Sequence, residues 1–424
     1  MNVEIINIGD ELLIGQVVNT NASWMAEQLS LSGFRVRNIR AIEDVHEEIK
    51  HALEEAEKRA EIVLISGGIG PTRDDITKTT LCEFFETRLV FDADAYRDIE
   101  LIFGRRGYPV TELNRQQAEL PEKCTGIPNT LGTARGMWFE KTEGNHGKKT
   151  IFVAMPGVPF EMKAMMELEI IPRLEKLFKT PAIFHKTVLT QGVGESFLAA
   201  QIEQWENELP PSIRLAYLPQ PGIVRLRLTG LGQNDAQIRG LVEKKVKKLE
   251  ALIPDYIFGT DQDTLEGILG RLLTEKGASL ACAESCTGGY IAHLLTTVPG
   301  SSGYFKGSVV AYANEAKEKL LGVNPESLLR FGAVSEAVVK EMAIGAQSRL
   351  NADYVISTSG IAGPDGGTTD KPVGTIWIGI ASPDEVFAQK FLFGDSRDRN
   401  IRRTALQAMN MLRKKILKST TIPR

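Results

Sequence analysis

EIVLISGGIGPTRDDITKTT, residues 61–80, decides the fold of the first half of the chain. Four apolar residues, Ile62 to Ile65, lead without interruption into Ser66 and the glycines Gly67, Gly68 and Gly70. A short unbroken apolar run ending in glycines reads as a buried strand of an α/β sheet. The glycines let the backbone turn tightly and offer amide hydrogens to an anion, while Asp74 and Asp75 follow closely enough to bind a divalent cation beside it. The plainer reading is a turn, with one aspartate capping the next helix.

The flanking sequence repeats this pattern. VEIINIG (3–9) predicts the first strand, Ala22–Ser32 a helix stopped by Gly33, and FRVRNIRAI (34–42) a further strand. Asp44 with Glu47 three residues on resembles a capping box for a helix running to about Arg59. TIFVAMPG (150–157) is another apolar run ending in glycine. Ligand sites in open α/β sheets lie beyond the carboxyl ends of strands, so these glycine-marked ends are expected to face one crevice. Asp10, Glu11, Asn19, Thr20 and Asn21 surround the first strand-to-helix junction, and Asn114 and Gln117 lie in a polar loop, which suggests a ribonucleotide-sized polar pocket. Neither the phosphate-loop lysine pattern nor the dinucleotide glycine fingerprint is present.

From about 175 to 255 the pattern changes to a small α+β module with an expected antiparallel hairpin at IRLAYLPQPGIVRLRLTGL (213–231) and a lysine-rich amphipathic helix whose basic run reads as a solvated face. Beyond it βα alternation resumes. The expected fold class is α/β: two α/β domains with mainly parallel sheets, 1–172 and 259–424, joined by the α+β module, 173–258. A chain of 424 residues suits two or three domains at roughly 100–200 residues each. The net charge of −4 and pI near 5.9 supply no basic field for nucleic acid or an anionic membrane. The acidic start lacks the form of a signal peptide and no apolar run reaches the roughly 20 residues of a membrane helix, so a cytoplasmic protein is expected. Cys82, Cys124, Cys282 and Cys286 are too few and scattered for a disulfide framework.

LACAESCTGGYIAHLL (280–295) carries the second constellation. Ser285 lies where a strand gives way to a helix, and amides near Thr287, Gly288 and Gly289 could stabilise an oxyanion. The only histidine in this domain, His293, is two turns into that helix. A lysine with a lowered pKa can replace it as base, and AYANEAKEKLL (311–321) offers Tyr312 at the end of an expected buried strand, Asn314 as a helix cap and Lys317 in the first turn. The alternative makes Ser285 a helix cap and Lys317 a surface charge. A loop containing Gly360, Gly363, Gly366 and Gly367 can approach a phosphate through its backbone. Lys371, Arg397, Arg399, Arg402 and Arg403 supply positive charge to hold that phosphate; the alternative for the arginines is the solvated face of a C-terminal helix with an apolar stripe at Ile401, Ala405, Met409, Leu412 and Ile416.

These motifs carry a resemblance. GDELLIGQVVNTN, GGIGPTRDDIT, NRQQAELP, LGTARG and MPGVPFEM, in this order, resemble the N-terminal domain of the CinA family, itself similar to molybdopterin-binding domains. AESCTGG, YANEAK, GIAGPDGGT and KPVGTIW resemble the nicotinamide-nucleotide amidase domain that forms the family's C-terminal half, and the middle module falls where the family has a KH-like domain. The resemblance implies deamidation of nicotinamide mononucleotide to nicotinate mononucleotide and ammonia, with Ser285, Tyr312 and Lys317 catalytic. Thr287, Gly288, Gly289, the glycine loop and Arg402 would bind substrate. For the first domain it implies cleavage of ADP-ribose to AMP and ribose 5-phosphate. Asp10, Asn19, Asn21, Gly67, Gly68, Gly70, Thr72 and Asn114 would lie at the substrate, and Asp74 and Asp75 on a divalent metal, Mg2+ or Co2+, with K+ a further candidate ion. No cofactor is implied for the amidase. The implied partners are these nucleotides and a second copy in a homodimer, with neither membrane nor direct nucleic-acid contact. Arg135 departs from the GTAPG that many relatives carry. The family also leaves open a first domain that binds a nucleotide or pterin without cleaving it, and an accessory role in competence. Gly192–Ser196 is a poor match to the GXXG loop with which KH domains grip nucleic acid.

Overall fold

The computed structural model describes residues 1–70, 75–105, 107–142 and 149–420. They form two compact units, Met1–Phe184 with Leu231–Arg239, and His185–Gly230 with Gly240–Arg424.

The first unit contains β1 (Asn2–Ile8), β2 (Arg35–Ile42), β3 (Ile62–Ser66), β4 (Leu89–Phe91), β5 (Glu119–Pro121), β6 (Thr125–Ile127), β7 (Gly136–Lys141) and β8 (Thr150–Met155). Six of these make one sheet in the order β2-β1-β3-β8-β7-β6, and β4 pairs with β5 apart from it. The pairs β1/β2, β1/β3 and β3/β8 are parallel, while β7 and β6 close the sheet antiparallel. Because side chains alternate along a strand, each central strand feeds two cores. Ile6, Val63, Ile65 and Phe152 pack with Ile49 and Leu53 of the His46–Glu57 helix. Ile5, Ile62, Leu64 and Val153 pack with Met25 and Leu29 of the Thr20–Leu31 helix. Each fully buried aliphatic side chain contributes about 1.5–3 kcal/mol, which explains why β3 and β8 carry no solvent-facing position. The expected capping box at Asp44 does not form: the helix begins at His46 after Val45 without a side-chain cap. The Asp44 amide instead donates to Asp10 Oδ1 at 3.3 Å.

The module supplies β9 (Ala182–Gln191), β10 (Ile213–Gln220), β11 (Ile223–Gly232) and β12 (Ile257–Thr260), in the order β10-β11-β9-β12. The expected hairpin is β10/β11, paired antiparallel from Ile213↔Gly230 to Gln220↔Ile223. Next come β13 (Leu280–Glu284), β14 (Phe305–Val310), β15 (Tyr354–Gly360), β16 (Thr375–Ala381) and β17 (Val386–Leu392), ordered β14-β13-β15-β16-β17. Here β14, β13 and β15 are parallel, and β16 and β17 are antiparallel. Leu189 and Phe258 of the module share a core with Ile356, Ile378, Met409 and Leu412, so module and C-terminal sheet pack as one body. Ala405, Met409, Leu412 and Ile416 bury the predicted stripe of the Arg397–Thr420 helix. Among the described residues no helix is long and apolar enough to cross a membrane.

Candidate functional site

The carboxyl ends of the three parallel strands in the C-terminal sheet meet at Ser285. Its amide donates to the Thr358 carbonyl at 3.0 Å, and the Ala311 amide donates to the Glu284 carbonyl at 2.9 Å. Ser285 is 8% exposed, so its hydroxyl is confined but not sealed beneath the sheet. The helix expected from Cys286 begins only at Tyr290. Gly288 and Gly289 adopt φ of +60° and +95°, which a continuing right-handed helix cannot contain. A β-carbon on Gly288 would meet nothing within 4 Å, so the turn borders open space. The Gly288 amide is engaged by the Ser285 carbonyl at 3.0 Å. It is therefore unavailable to an oxyanion.

Ser285 does not cap this helix. The carboxylate of Glu284, fully buried, accepts from the amides of Gly289 (3.0 Å), Ile291 (3.0 Å) and Ala292 (2.9 Å) and from the Ser308 hydroxyl (3.1 Å). An acid satisfies the positive helix start while the neighbouring serine stays free for other chemistry. Sequence reasoning missed Glu284. Its signal was a carboxylate closing an otherwise apolar strand immediately before a glycine turn.

Lys317 is 1% exposed, not a surface charge. Its Nζ donates to the carbonyls of Ala311 (2.9 Å) and Tyr312 (3.0 Å). Burial pushes the amine below its ordinary pKa, with the Cys286 thiol, next to Ser285 in the chain, opposing it more weakly. Once deprotonated, the amine would keep two hydrogens for these two carbonyls and one lone pair to accept a proton. The Cys286 thiol is itself pushed up to about 12 by burial, which keeps it protonated and a poor rival nucleophile.

Tyr312 lies beyond β14, an edge strand with no fully buried position, and is 60% exposed instead of closing a buried strand. Its hydroxyl accepts from Arg397 Nη2 at 3.0 Å, and Nη1 of the same guanidinium donates to the Gly363 carbonyl at 2.8 Å. Arg397 thus links the tyrosine to the glycine loop. Asn314 is the first helical residue and not a cap. Within the loop, β-carbons on Gly360, Gly363 and Gly367 would come within 2.2 Å, 2.7 Å and 2.8 Å of Ile376 or Val373, so the loop's own packing demands them. Gly366 has only Ile361 nearby, at 3.7 Å. Lys371 ties the loop to the Phe331 carbonyl at 2.6 Å. Arg402 lines a cavity whose walls include neither Ser285 nor Tyr312 nor Lys317.

In the first unit β1, β3 and β8 lie side by side, and their ends form a corner. A β-carbon on Gly67, at φ +116°, would lie 2.1 Å from the Ile8 carbonyl oxygen; on Gly68, 2.1 Å from Thr77 Oγ1; on Gly70, 2.7 Å from Asp75 Oδ2. Asn21 Nδ2 donates to the Gly157 carbonyl at 2.7 Å and to Ser66 Oγ at 3.3 Å. With Asn7, Ser66 and Gly157 it walls a cavity of about 110 Å³, below the roughly 300 Å³ of ordinary ligand sites. The buried oxygens Asn7 Oδ1, Asn21 Oδ1 and Thr77 Oγ1 have no hydrogen-bond partner among the described residues. Asn19 and Asn114 serve helix ends: Asn19 Oδ1 accepts from the Ala22 amide, and Asn114 completes a capping box with Thr111. Arg135 pairs with Asp98 at 2.6 Å. Lys78, which the sequence did not single out, is buried and donates to the Gln117 and Glu119 carbonyls at 3.0 and 3.2 Å. Burial lowers its pKa.

Thr72 and Asp74 lie outside the described residues. Among the described residues no three His, Cys, Asp or Glu side chains cluster as a metal site. The donors at this corner are a carboxylate, amide oxygens and a hydroxyl, a set that suits a hard divalent ion.

Two glycine-cornered α/β sheets with a four-stranded module between them in the chain define a composite α/β protein. The family descriptions that match are "Probable molybdopterin binding domain" over residues 4–176, "Damage-inducible protein CinA KH domain" over 185–259 and "CinA C-terminal domain" over 262–416. The chain belongs to the CinA family. A "CinA-like protein" of Flavobacterium psychrophilum is 45% identical over 99% of this chain and 99% of its own. Another from Cytophaga hutchinsonii is 45% identical over 97% of each. Among solved structures, a competence/damage inducible protein from Agrobacterium tumefaciens is 37% identical over 36% of this chain and 96% of its own, with a TM-score of 0.35.

Proposed function

We propose that the C-terminal site hydrolyses the carboxamide of nicotinamide mononucleotide. Ser285 Oγ attacks the amide carbon as its proton passes to the neutral amine of Lys317, forming a C–O bond and an oxyanion. The Thr287 amide, beside the open space at Gly288, is the donor best placed by sequence to receive that oxyanion. Lys317 returns the proton to the departing nitrogen, the C–N bond breaks, and ammonia leaves. Water then attacks the acyl-serine, its proton again taken by Lys317, to give nicotinate mononucleotide and free Ser285. Tyr312 and Arg397, at the exposed rim, orient the nucleotide. The observation that carries this reading is the buried Lys317, its amine held by two backbone carbonyls in a desolvated setting that lowers its pKa. Ser285→Ala tests it: ammonia release from nicotinamide mononucleotide is expected to vanish with the melting curve unchanged, and undiminished release would reject Ser285 as nucleophile.

We infer that the first unit cleaves ADP-ribose to AMP and ribose 5-phosphate. Unsatisfied oxygens at the corner support a polar ligand there. Asp75, with Asp74, would hold a divalent metal, which when bound neutralises diphosphate charge. Gly67 and Gly68 let the turn pack directly against the Ile8 carbonyl and the Thr77 hydroxyl, which holds the strand ends together at this corner, while Asn21 is braced by Gly157 to orient the ligand.

A further inference from the structure

Burial alternates along β11. Val224, Leu226 and Leu228 are buried, whereas Ile223 and Arg225 turn to the other face of the sheet. On that face, within the second unit, lies a cavity of about 350 Å³. Its apolar wall includes Phe258, Tyr290, Leu294 and Leu406, and Arg225 and Arg402 bring two guanidinium groups to it. Arg225 Nε is sealed from solvent and has no acceptor among the described residues. The rest of the half-buried Arg225 guanidinium, with that of Arg402, gives the cavity a cationic wall for an anion.

The cavity also receives the start of the Leu265–Lys276 helix. Thr264 Oγ1 accepts from the Gly267 amide at 3.1 Å, leaving the first-turn amides of Leu265 and Glu266 at the cavity. Two of the acids in the lining are already neutralised: Asp261 by Lys186 at 2.5 Å, and Asp263 by Arg271 at 2.9 Å. Glu266 and Gln262 remain to accept from hydroxyl groups.

Two cations, a helix start, hydroxyl acceptors and aromatic walls thus share one space. We propose that this cavity is a second small-molecule site that takes a nucleoside 5′-monophosphate, with phosphate on Arg225 and Arg402, ribose toward Glu266, and the base against Tyr290 and Phe258. The volume fits a mononucleotide and is at the low end of the roughly 300–1,000 Å³ of ligand sites, too small for a dinucleotide. This assignment does not depend on either proposed activity.

The test uses the full chain with AMP as probe and inorganic phosphate as control. Crystals soaked in AMP are expected to show phosphate within hydrogen-bond distance of Arg225 and the base on Tyr290. In calorimetry, Arg225→Gln is expected to weaken this binding at least tenfold without changing the melting temperature of the ligand-free protein. Arg402→Gln, at an exposed position, gives the same readout if the first variant does not fold. An empty cavity in crystals that bind AMP elsewhere, unchanged AMP affinity in the folded variants, or phosphate binding as tightly as AMP would overturn the assignment.

Discussion

The amine of Lys317 donates to the carbonyl oxygen of Ala311 across 2.9 Å, from a side chain with 1% of its surface exposed. If the neutral amine is the base, activity must rise with pH as Lys317 loses its proton. Burial lowers that pKa, so the acid limb of kcat/KM should fall below the ordinary lysine value of 10.5. Lys317→Arg keeps the positive charge at every accessible pH and cannot serve as base. A loss of about 10²–10⁴-fold is expected across the whole profile. An arginine variant that kept the wild-type limb would show that another group titrates.

The same linkage bears on stability. Between the folded and unfolded pKa of Lys317 the unfolded chain binds more protons, so this residue's contribution rises with pH through that window and is flat below it. Urea unfolding of wild type and Lys317→Gln from neutral pH to about 10.5 should show that only the wild type carries the slope.

Glu284 is the support for the Ser285 turn. In Glu284→Gln an amide NH2 replaces one oxygen that now accepts from backbone amides, and at least one helix donor loses its acceptor. A cost of about 2–3 kcal/mol is expected in urea unfolding, together with loss of the proposed amidase activity, because Ser285 directly precedes the released turn. Glu284→Gln with unchanged stability would mean that solvent already satisfies those amides.

Arg397→Ala separates orientation from chemistry. Its guanidinium joins Tyr312 Oη to the Gly363 carbonyl, and it is exposed. Steady-state kinetics should show KM raised about tenfold, equivalent to about 1.4 kcal/mol, with kcat little changed. A fall confined to kcat would place Tyr312 in the proton transfer instead.

What the sequence revealed was local. Unbroken apolar runs ending in glycine marked β3 and β8, and the strand-to-turn boundary marked Ser285. Periodicity could not show that Gly288 and Gly289 postpone the helix to Tyr290, because glycine tolerates both helical and left-handed backbone. Partners distant in sequence were hidden as well: Arg397 meets Tyr312 across 85 residues, and Lys78 meets the Gln117 carbonyl across 39. Asn19 and Asn114 looked like ligand groups because asparagine suits both polar pockets and helix caps; backbone geometry assigns both to caps.

Gly67→Ala tests the first unit apart from the second. The added carbon would sit 2.1 Å from the Ile8 carbonyl oxygen at a backbone φ of +116°, so β1 and β3 cannot keep their spacing at this corner without distortion. Strain and overpacking together should cost about 3 kcal/mol. Ile8 precedes Asp10, and Gly67 precedes the glycine turn, so the distortion falls on the groups assigned to ADP-ribose. AMP production should therefore fall to background while ammonia release persists, because Ser285 and Lys317 belong to the other compact unit. Chelation of the wild type with EDTA should produce the same split through metal loss without altering the melting curve of the second unit. A variant that lost both activities in parallel, with no change in its unfolding transitions, would show that the two sites do not operate independently.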